Sequence, residues 1–473
     1  MNNFKEVNEN YTLAEAITEA KRCLHCKVPQ CKKGCPISND IPDWIHELKK
    51  GNMGNAIAII RNRSNLPAVC GRVCAHERQC EGSCVMGKKG APINIGKLER
   101  FIADFDAVAH LTHDNVPEKT RGKVAVIGSG PASITVAGDL SRMGFAVEMF
   151  EMESQCGGVL RYGIPEYRLP KEVVANEIRF IESMGVNIHR NTHVGETITI
   201  DTMFADGFDA VFVGTGMGQP KSLNVPVKYI DTMEDAPMKS DELYGVRLAT
   251  HFLRRMELYL ENCLQSEQLA VREGQHVFVV GCGNTAMDAA RTALRLNTAD
   301  VNVVYHRGIE NMAALRAEYD DAVKEGAKFN WHASIKEIHI NRNNEIQEVL
   351  IQQTIPATEE GAEPEVREFT MPADRIIMAI GNKPLTTIVR TTSNLDSDER
   401  GFLITREKPY GMTTRQGVFA GGDVANRQAT VVHAMQDAKK VAEGMAQYVD
   451  AMHLLDAINP QSSQKQQEPN INQ

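Results

Sequence analysis

From Lys123 onward the chain alternates short, wholly apolar runs with amphipathic stretches, the rhythm of buried parallel strands and the helices that cover them. The first 118 residues lack that rhythm. Residues 13–22 and 40–50 carry apolar side chains at helical intervals, and Asp40 followed by Pro42 makes a helix start. The pattern predicts a mostly helical module over 1–118 and an α/β region beyond it. A polar link over 113–122 divides the two. Strand, glycine turn and helix occur twice, opening at Lys123 and Gln275, which divides the α/β region into 119–255, an inserted domain over 256–375, and a return over 376–452. Residues 453–473, rich in Gln, Asn, Ser and Pro, have too few apolar groups to pack and read as a disordered tail.

Composition narrows the function classes. The 473 residues suffice for about three domains. With 61 acidic against 52 basic residues the formal net charge is −9, which gives no general pull toward nucleic acid or anionic lipid. Lys32-Lys33 and Lys88-Lys89 are local exceptions, read as solvated surface or as steering for an acidic partner. The N-terminus has no apolar leader and no run approaches about 18 apolar residues, so a cytoplasmic location is expected.

Cysteine placement changes the picture most. Eight of the eleven fall within the first 84 residues, as Cys23-x2-Cys26-x4-Cys31-x3-Cys35-Pro36 and Cys70-x3-Cys74-x5-Cys80-x3-Cys84. The first run is close to bacterial ferredoxin spacing, trailing proline included, and two four-iron clusters need about eight soft ligands. Two structural zinc sites are the alternative, and the intervals fit zinc ribbons poorly. Cys156, Cys263 and Cys282 are scattered, which argues against a secreted disulfide framework.

The first glycine turn, Lys123-Val-Ala-Val-Ile-Gly-Ser-Gly-Pro-Ala-Ser133, places Gly128 and Gly130 where backbone approaches a pyrophosphate, with Pro131 and Ala132 opening the helix and Ser133 in place of a third glycine. Ala146-Val-Glu-Met-Phe-Glu151 reads as the next strand, its terminal Glu151 about twenty residues on and suited to a ribose. Gly157 and Gly158 follow at once. Far downstream, Gly417-Val-Phe-Ala-Gly-Gly-Asp-Val424 supplies Gly422 and Asp423 for a flavin ribityl chain, and a helix starting near Thr430 would aim its N-terminus at the flavin ring. FAD is the expected ligand. The second turn, His276-Val-Phe-Val-Val-Gly-Cys-Gly-Asn-Thr-Ala286, repeats the geometry through Gly281, Gly283, Asn284, Thr285 and Ala286. Its following strand ends in His306 and Arg307 rather than an acid, which favours the 2′-phosphate of NADP, while Glu310 keeps NAD open.

Taken in order, the parts are an iron-sulfur module, half a flavin domain, an inserted pyridine-nucleotide domain and the second flavin half. In that order, in the cysteine runs and in Gly157-Gly-Val-Leu-Arg-Tyr-Gly-Ile-Pro-Glu-Tyr-Arg-Leu-Pro170, the chain resembles the small (beta) subunit family of NADPH-dependent glutamate synthase. Related groups are the N-terminal part of dihydropyrimidine dehydrogenase and the FAD subunits of ferredoxin:NADP oxidoreductase and sulfide dehydrogenase. The resemblance implies interleaved ligands: Cys23, Cys26, Cys31 and Cys84 on one 4Fe-4S cluster, and Cys35, Cys74 and Cys80 on the other. It makes Glu99, in Ile95-Gly-Lys-Leu-Glu99, the candidate fourth ligand, with Cys70 as the alternative. It also implies that Arg168 contacts FAD and that Arg316 joins Arg307 at the NADP phosphate, although His306 and Ala313-Ala-Leu depart from the relatives' pattern there. His433 and Glu166 are further residues near the flavin that read as structural.

The implied activity is electron input: NADPH to FAD to the clusters and on to a partner. No catalytic side chain is required, because hydride transfer depends on ring stacking and distance. Glutamate synthesis needs an amidotransferase and an FMN barrel, which 473 residues filled by the domains above do not accommodate. A large catalytic subunit of glutamate synthase type is therefore the expected partner, in an oligomer, with a ferredoxin-type acceptor as the alternative. A non-catalytic assembly scaffold is the reading from another class.

Overall fold

The computed structural model describes residues 2–112, 116–356, 363–427 and 430–458. The expected tail from 459 and the first three residues of the 113–122 link lie outside them. The final helix, Val431–Ile458, runs past the expected boundary at 452.

Two compact units form, each from discontinuous chain. One comprises Asn8–Leu160, Lys171–Gly218 and Lys383–Gln473; the other comprises Met1–Val7, Arg161–Pro170 and Gln219–Asn382. The inserted domain thus starts before 256 and ends after 375. The physical reason is strand pairing: Val246–Leu248 and Arg375–Met378 are parallel neighbours within its sheet, which a boundary at 256 or 375 would cut.

In the first unit, Leu13–Lys21, Ile41–Lys49, Met53–Arg61, Pro67–Val73 and Ile95–Ala109 are helices. Thr12 caps the first through a capping box with Glu15, and Pro42 sits in the opening turn of the second. Their apolar faces meet on Trp44, Ile45, Leu48, Ile57, Ile60 and Leu98, and Cys80 is buried in the same core. The rest of the unit is built on a seven-stranded sheet in the order Thr405–Glu407, Tyr410–Thr413, Val418–Ala420, Ala210–Val213, Lys123–Ile127, Ala146–Phe150 and Asn187–His189. The last five are parallel and the first two antiparallel. Four consecutive buried residues in Lys123–Ile127 show a strand covered on both faces, which is why its sequence does not alternate.

Within this unit the helical module is tied to the flavin-type sheet by buried polar contacts. Arg61 donates to Glu177 at 3.2 Å, and Ala68 N–H donates to the same carboxylate at 2.9 Å. Asn65 donates to Asp139 at 2.9 Å.

The second unit holds a five-stranded parallel sheet, Lys328–Trp331, Asp300–Tyr305, His276–Val280, Arg375–Met378 and Val246–Leu248, and a four-stranded sheet of Glu365–Pro372, Ile346–Ile355, Ala333–Ile340 and Val227–Tyr229. Among the described residues no helix is long and apolar enough to cross a membrane.

Candidate functional site

At the first turn Gly128 has φ +88°, and a Cβ there would stand 2.9 Å from the carbonyl oxygen of Gly214. Gly130 caps the helix Pro131–Arg142 and faces open space, and Gly158 brings its own backbone to Gly130. The result is a side-chain-free cradle at a helix N-terminus, the setting an anionic pyrophosphate needs. Ser133, at the third small position, is tolerated because its neighbour is Gly214: a Cβ on Gly214 would meet Ser133 Oγ at 2.3 Å. Glu151 is buried at the end of its strand, accepts from Ser129 Oγ and accepts from Glu153 N–H at 2.8 Å. Gly157 N–H donates to Ser129 Oγ at 2.9 Å, so one serine orients both the acid and the second glycine pair. Burial raises the Glu151 carboxyl above its usual range.

Asp423 follows Gly422, whose φ of +71° turns the chain out of the sheet, and burial pushes the Asp423 carboxyl up to about 6. Gly422 N–H donates to Asp437 at 2.7 Å, and Tyr410 donates to the same side chain at 2.8 Å. Asp423, His433, Gln436 and Lys440 line a cavity beside the start of Val431–Ile458. His433 is held there by a 2.6 Å hydrogen bond between Thr430 Oγ1 and its Nδ1. Glu166 belongs to the other unit, where its N–H donates to Glu257 at 3.0 Å.

The second turn is built alike. Gly281 has φ +119° with the Ala379 carbonyl in the place of a Cβ, and Gly283 caps Asn284–Leu294 facing open space. Asn284 accepts from Leu315 N–H at 2.9 Å, Thr285 follows it in the first turn, and Ala286 is fully buried. His306 and Arg307 are exposed beyond Tyr305, and Arg316 is exposed and pairs with Asp320 at 2.9 Å. The Glu310 carboxylate folds onto Gly308, whose missing side chain makes the room.

Arg168 has partners other than the expected flavin. Its fork holds both oxygens of Asp288 at 2.8 Å and Glu318 at 2.7 Å, all within the pyridine-nucleotide unit, and Arg291 shares Glu318. Two buried carboxylates leave a guanidinium in this position acting as an ion-pair hub.

In the helical module, Cys23, Cys26, Cys31 and Cys84 line one cavity together with Ile41, Ile45, Met86 and Ile93. Sequence order separates Cys84 from the other three by a whole run of cysteines, and the fold brings them together. All eleven cysteines are free. Burial raises the Cys31 thiol to about 11 and Cys35 to about 12, and among the described residues no three histidine, cysteine or acidic side chains stand close enough together to hold a metal ion. Cys35, Cys74 and Cys80 form a second group, and the buried Glu99 acts electrostatically on all three. Glu99 receives no hydrogen bond among the described residues, and burial first, then Glu177, lifts it to about 8. Cys70 adjoins the same group through its hydrogen bond with Cys74, and it also contacts Ser64 Oγ at 3.8 Å and Met435 Sδ at 3.7 Å. His76, whose imidazole packs on Gly96 with a buried, unpartnered Nε2, was not legible as part of this region; its place between Cys74 and Cys80 is the signal. Ser129, inside the glycine turn, and Gly214, after the strand Ala210–Val213, were missed in the same way.

Residues 1–110 match the family described as dihydropyrimidine dehydrogenase domain II, 4Fe-4S cluster, and residues 122–438 match the pyridine nucleotide-disulphide oxidoreductase family. The chain is 31% identical over 463 residues to "Glutamate synthase [NADPH] small chain" of Escherichia coli K12, covering 94% of each. It is 30% identical over 456 residues to "NAD-dependent dihydropyrimidine dehydrogenase subunit PreT" of the same organism, covering 95% of this chain and 98% of that one. The fold is shared with Mycobacterium tuberculosis FprA in complex with NADPH, at TM-score 0.53 and 17% identity over 72% of this chain and 90% of that one. The chain is therefore an oxidoreductase of the pyridine nucleotide-disulphide family with an N-terminal 4Fe-4S domain, and it belongs with the glutamate synthase [NADPH] small chains.

Proposed function

We propose that the chain is the electron-input subunit of a larger enzyme, taking hydride from NADPH at Gly281–Ala286 and delivering electrons through FAD and two 4Fe-4S clusters to a large catalytic subunit of glutamate synthase type. FAD, when bound, accepts two electrons at once and releases them singly. The chain's own residues hold and align: Gly128, Gly130 and Gly158 keep backbone against a pyrophosphate, and Glu151 and Asp423 offer carboxylates for ribose and ribityl hydroxyls. The observation that carries the reading is continuity within one unit. The helix beginning beside Asp423 sets Met435 against Cys70 and donates from Gln436 to Pro36 O at 2.7 Å, so the flavin-side helix touches both cysteine runs.

Preference for NADPH over NADH rests on the exposed Arg307, with Glu310 turned onto Gly308. The relatives supply both nucleotides by name, so the guanidinium decides. Arg307→Ala should raise the Michaelis constant for NADPH roughly tenfold and leave that for NADH nearly unchanged. An equal effect on both, or a wild-type preference for NADH, overturns the assignment.

Glu99 completes the second ligand set in this reading, supported by its burial and by its electrostatic effect on Cys35, Cys74 and Cys80 together; Cys70, hydrogen-bonded to Cys74, is the alternative. Cys70→Ser should leave iron content unchanged, whereas Glu99→Ala lowers it or shifts one cluster's potential. The reverse pattern makes Cys70 the ligand. The identity of the large subunit that co-purifies decides between glutamate synthase and a ferredoxin-type acceptor.

A further inference from the structure

The chain carries a net charge of −9, yet residues 20–39 contain Lys21, Arg22, Lys27, Lys32 and Lys33 without a single carboxylate, and residues 82–98 contain Lys88, Lys89 and Lys97 without one. Those two segments supply Cys23, Cys26, Cys31 and Cys84 to the first cysteine cavity. Arg22 is neutralised by Glu19 and Lys32 by Asp40. Lys27, Lys33, Lys88 and Lys89 are exposed, and among the described residues none of the four has an ion-pair partner. In their midst Leu24 is 64% and Val28 61% exposed, on the loop that lines the cavity. The loop is pinned: the His25 ring stacks on His46 at 4.7 Å and an interplanar angle of 6°, and its Nε2 bonds Asp43 at 2.9 Å. Two exposed apolar tips on a pinned loop that lines the cluster-binding cavity, in segments that carry unpaired lysines, have the composition of an interface core with a charged rim.

We propose that the face formed by residues 24–30 and 85–90 is the docking site of an acidic protein that takes electrons from the cluster held by Cys23, Cys26, Cys31 and Cys84; the inference rests on the electron-input reading above. Each transfer moves one electron, reoxidising the cluster and reducing the acceptor's metal centre, with no bond made or broken. The free lysines steer the acceptor's carboxylates, and Leu24 and Val28 exclude water at the shortest approach.

The test uses the holoenzyme, NADPH and two one-electron acceptors of opposite surface charge: plastocyanin, which is acidic, and cytochrome c, which is basic. Plastocyanin reduction should slow about tenfold between about 0.02 and about 0.3 M salt, while cytochrome c reduction holds or rises. Cadmium-substituted plastocyanin, which is redox-inert, should bind in calorimetry with the same salt dependence. The fourfold variant Lys27→Glu, Lys33→Glu, Lys88→Glu, Lys89→Glu should reverse the acceptor preference, with flavin reduction and cluster bleaching by NADPH unchanged. Val28→Ser should weaken plastocyanin binding without altering its salt slope. Salt-independent plastocyanin binding, faster cytochrome c reduction at low salt, or an unaltered fourfold variant overturns the proposal. So does lysine-dependent sedimentation with phosphatidylglycerol vesicles alongside salt-independent plastocyanin reduction, which would assign the face to a membrane. Clusters that NADPH does not bleach would instead sink the electron-input reading.

Discussion

Asp423 is the residue whose environment makes the sharpest prediction about pH. A carboxyl raised to about 6 by burial binds its proton more tightly folded than unfolded, so its contribution to stability is present at low pH and is lost as pH rises from about 4 to about 6. In flavin-free protein, the difference in stability between wild type and Asp423→Asn should therefore change across that window and be flat above it, as denaturant titrations at a series of pH values will show. Arg168 predicts a different failure. Arg168→Met removes the cation from the buried Asp288 and leaves Glu318 to Arg291, which should cost about 3 kcal/mol and lower the unfolding midpoint of the pyridine-nucleotide unit while the flavin spectrum persists. Loss of flavin with unchanged stability would return Arg168 to the role the resemblance implies. Its partners were illegible in the sequence because Asp288 and Glu318 lie far along the chain from it, and an ion pair leaves no local periodicity.

Elements were legible where one face or both faces are apolar. Lys123–Ile127 and His276–Val280 are announced by uninterrupted apolar runs ending in glycine, and Leu13–Lys21 by its spacing. Within the four-stranded sheet Glu365–Pro372 gives no such notice: it is exposed along nearly its whole length, and its Val366 and Phe369 mark no buried face. Helix-to-helix ties were equally hidden. Glu177, on Lys171–Ser183, is buried and serves Arg61 and Ala68 at once. Glu177→Ala should leave the buried Ala68 N–H without its acceptor and Arg61 with Asp106 as its remaining carboxylate, costing about 2–3 kcal/mol and exposing the helical module's amides to exchange before those of the seven-stranded sheet. Simultaneous exchange of both would mean that this carboxylate is not what couples them.

For the whole molecule, two clusters and one flavin predict roughly eight irons per chain in anaerobically purified protein and bleaching of the visible spectrum by NADPH. Zinc in place of iron under those conditions would end the electron-transfer reading. Alone, the chain should oxidise NADPH with an artificial acceptor and form no glutamate from glutamine. The split composition of the two units bears on how such a chain is made. The strand Ala210–Val213 waits for its neighbour Val418–Ala420 while the roughly 200 intervening residues are synthesised, which at ~5–20 residues per second takes on the order of 10–40 s. Residues 2–7 are synthesised before either sheet, but their place is in the unit completed by Gln219–Asn382. The inserted unit can therefore close on the nascent chain before the flavin-type sheet that it interrupts, and through that interval the sheet presents an open edge that a chaperone, rather than the chain itself, must guard.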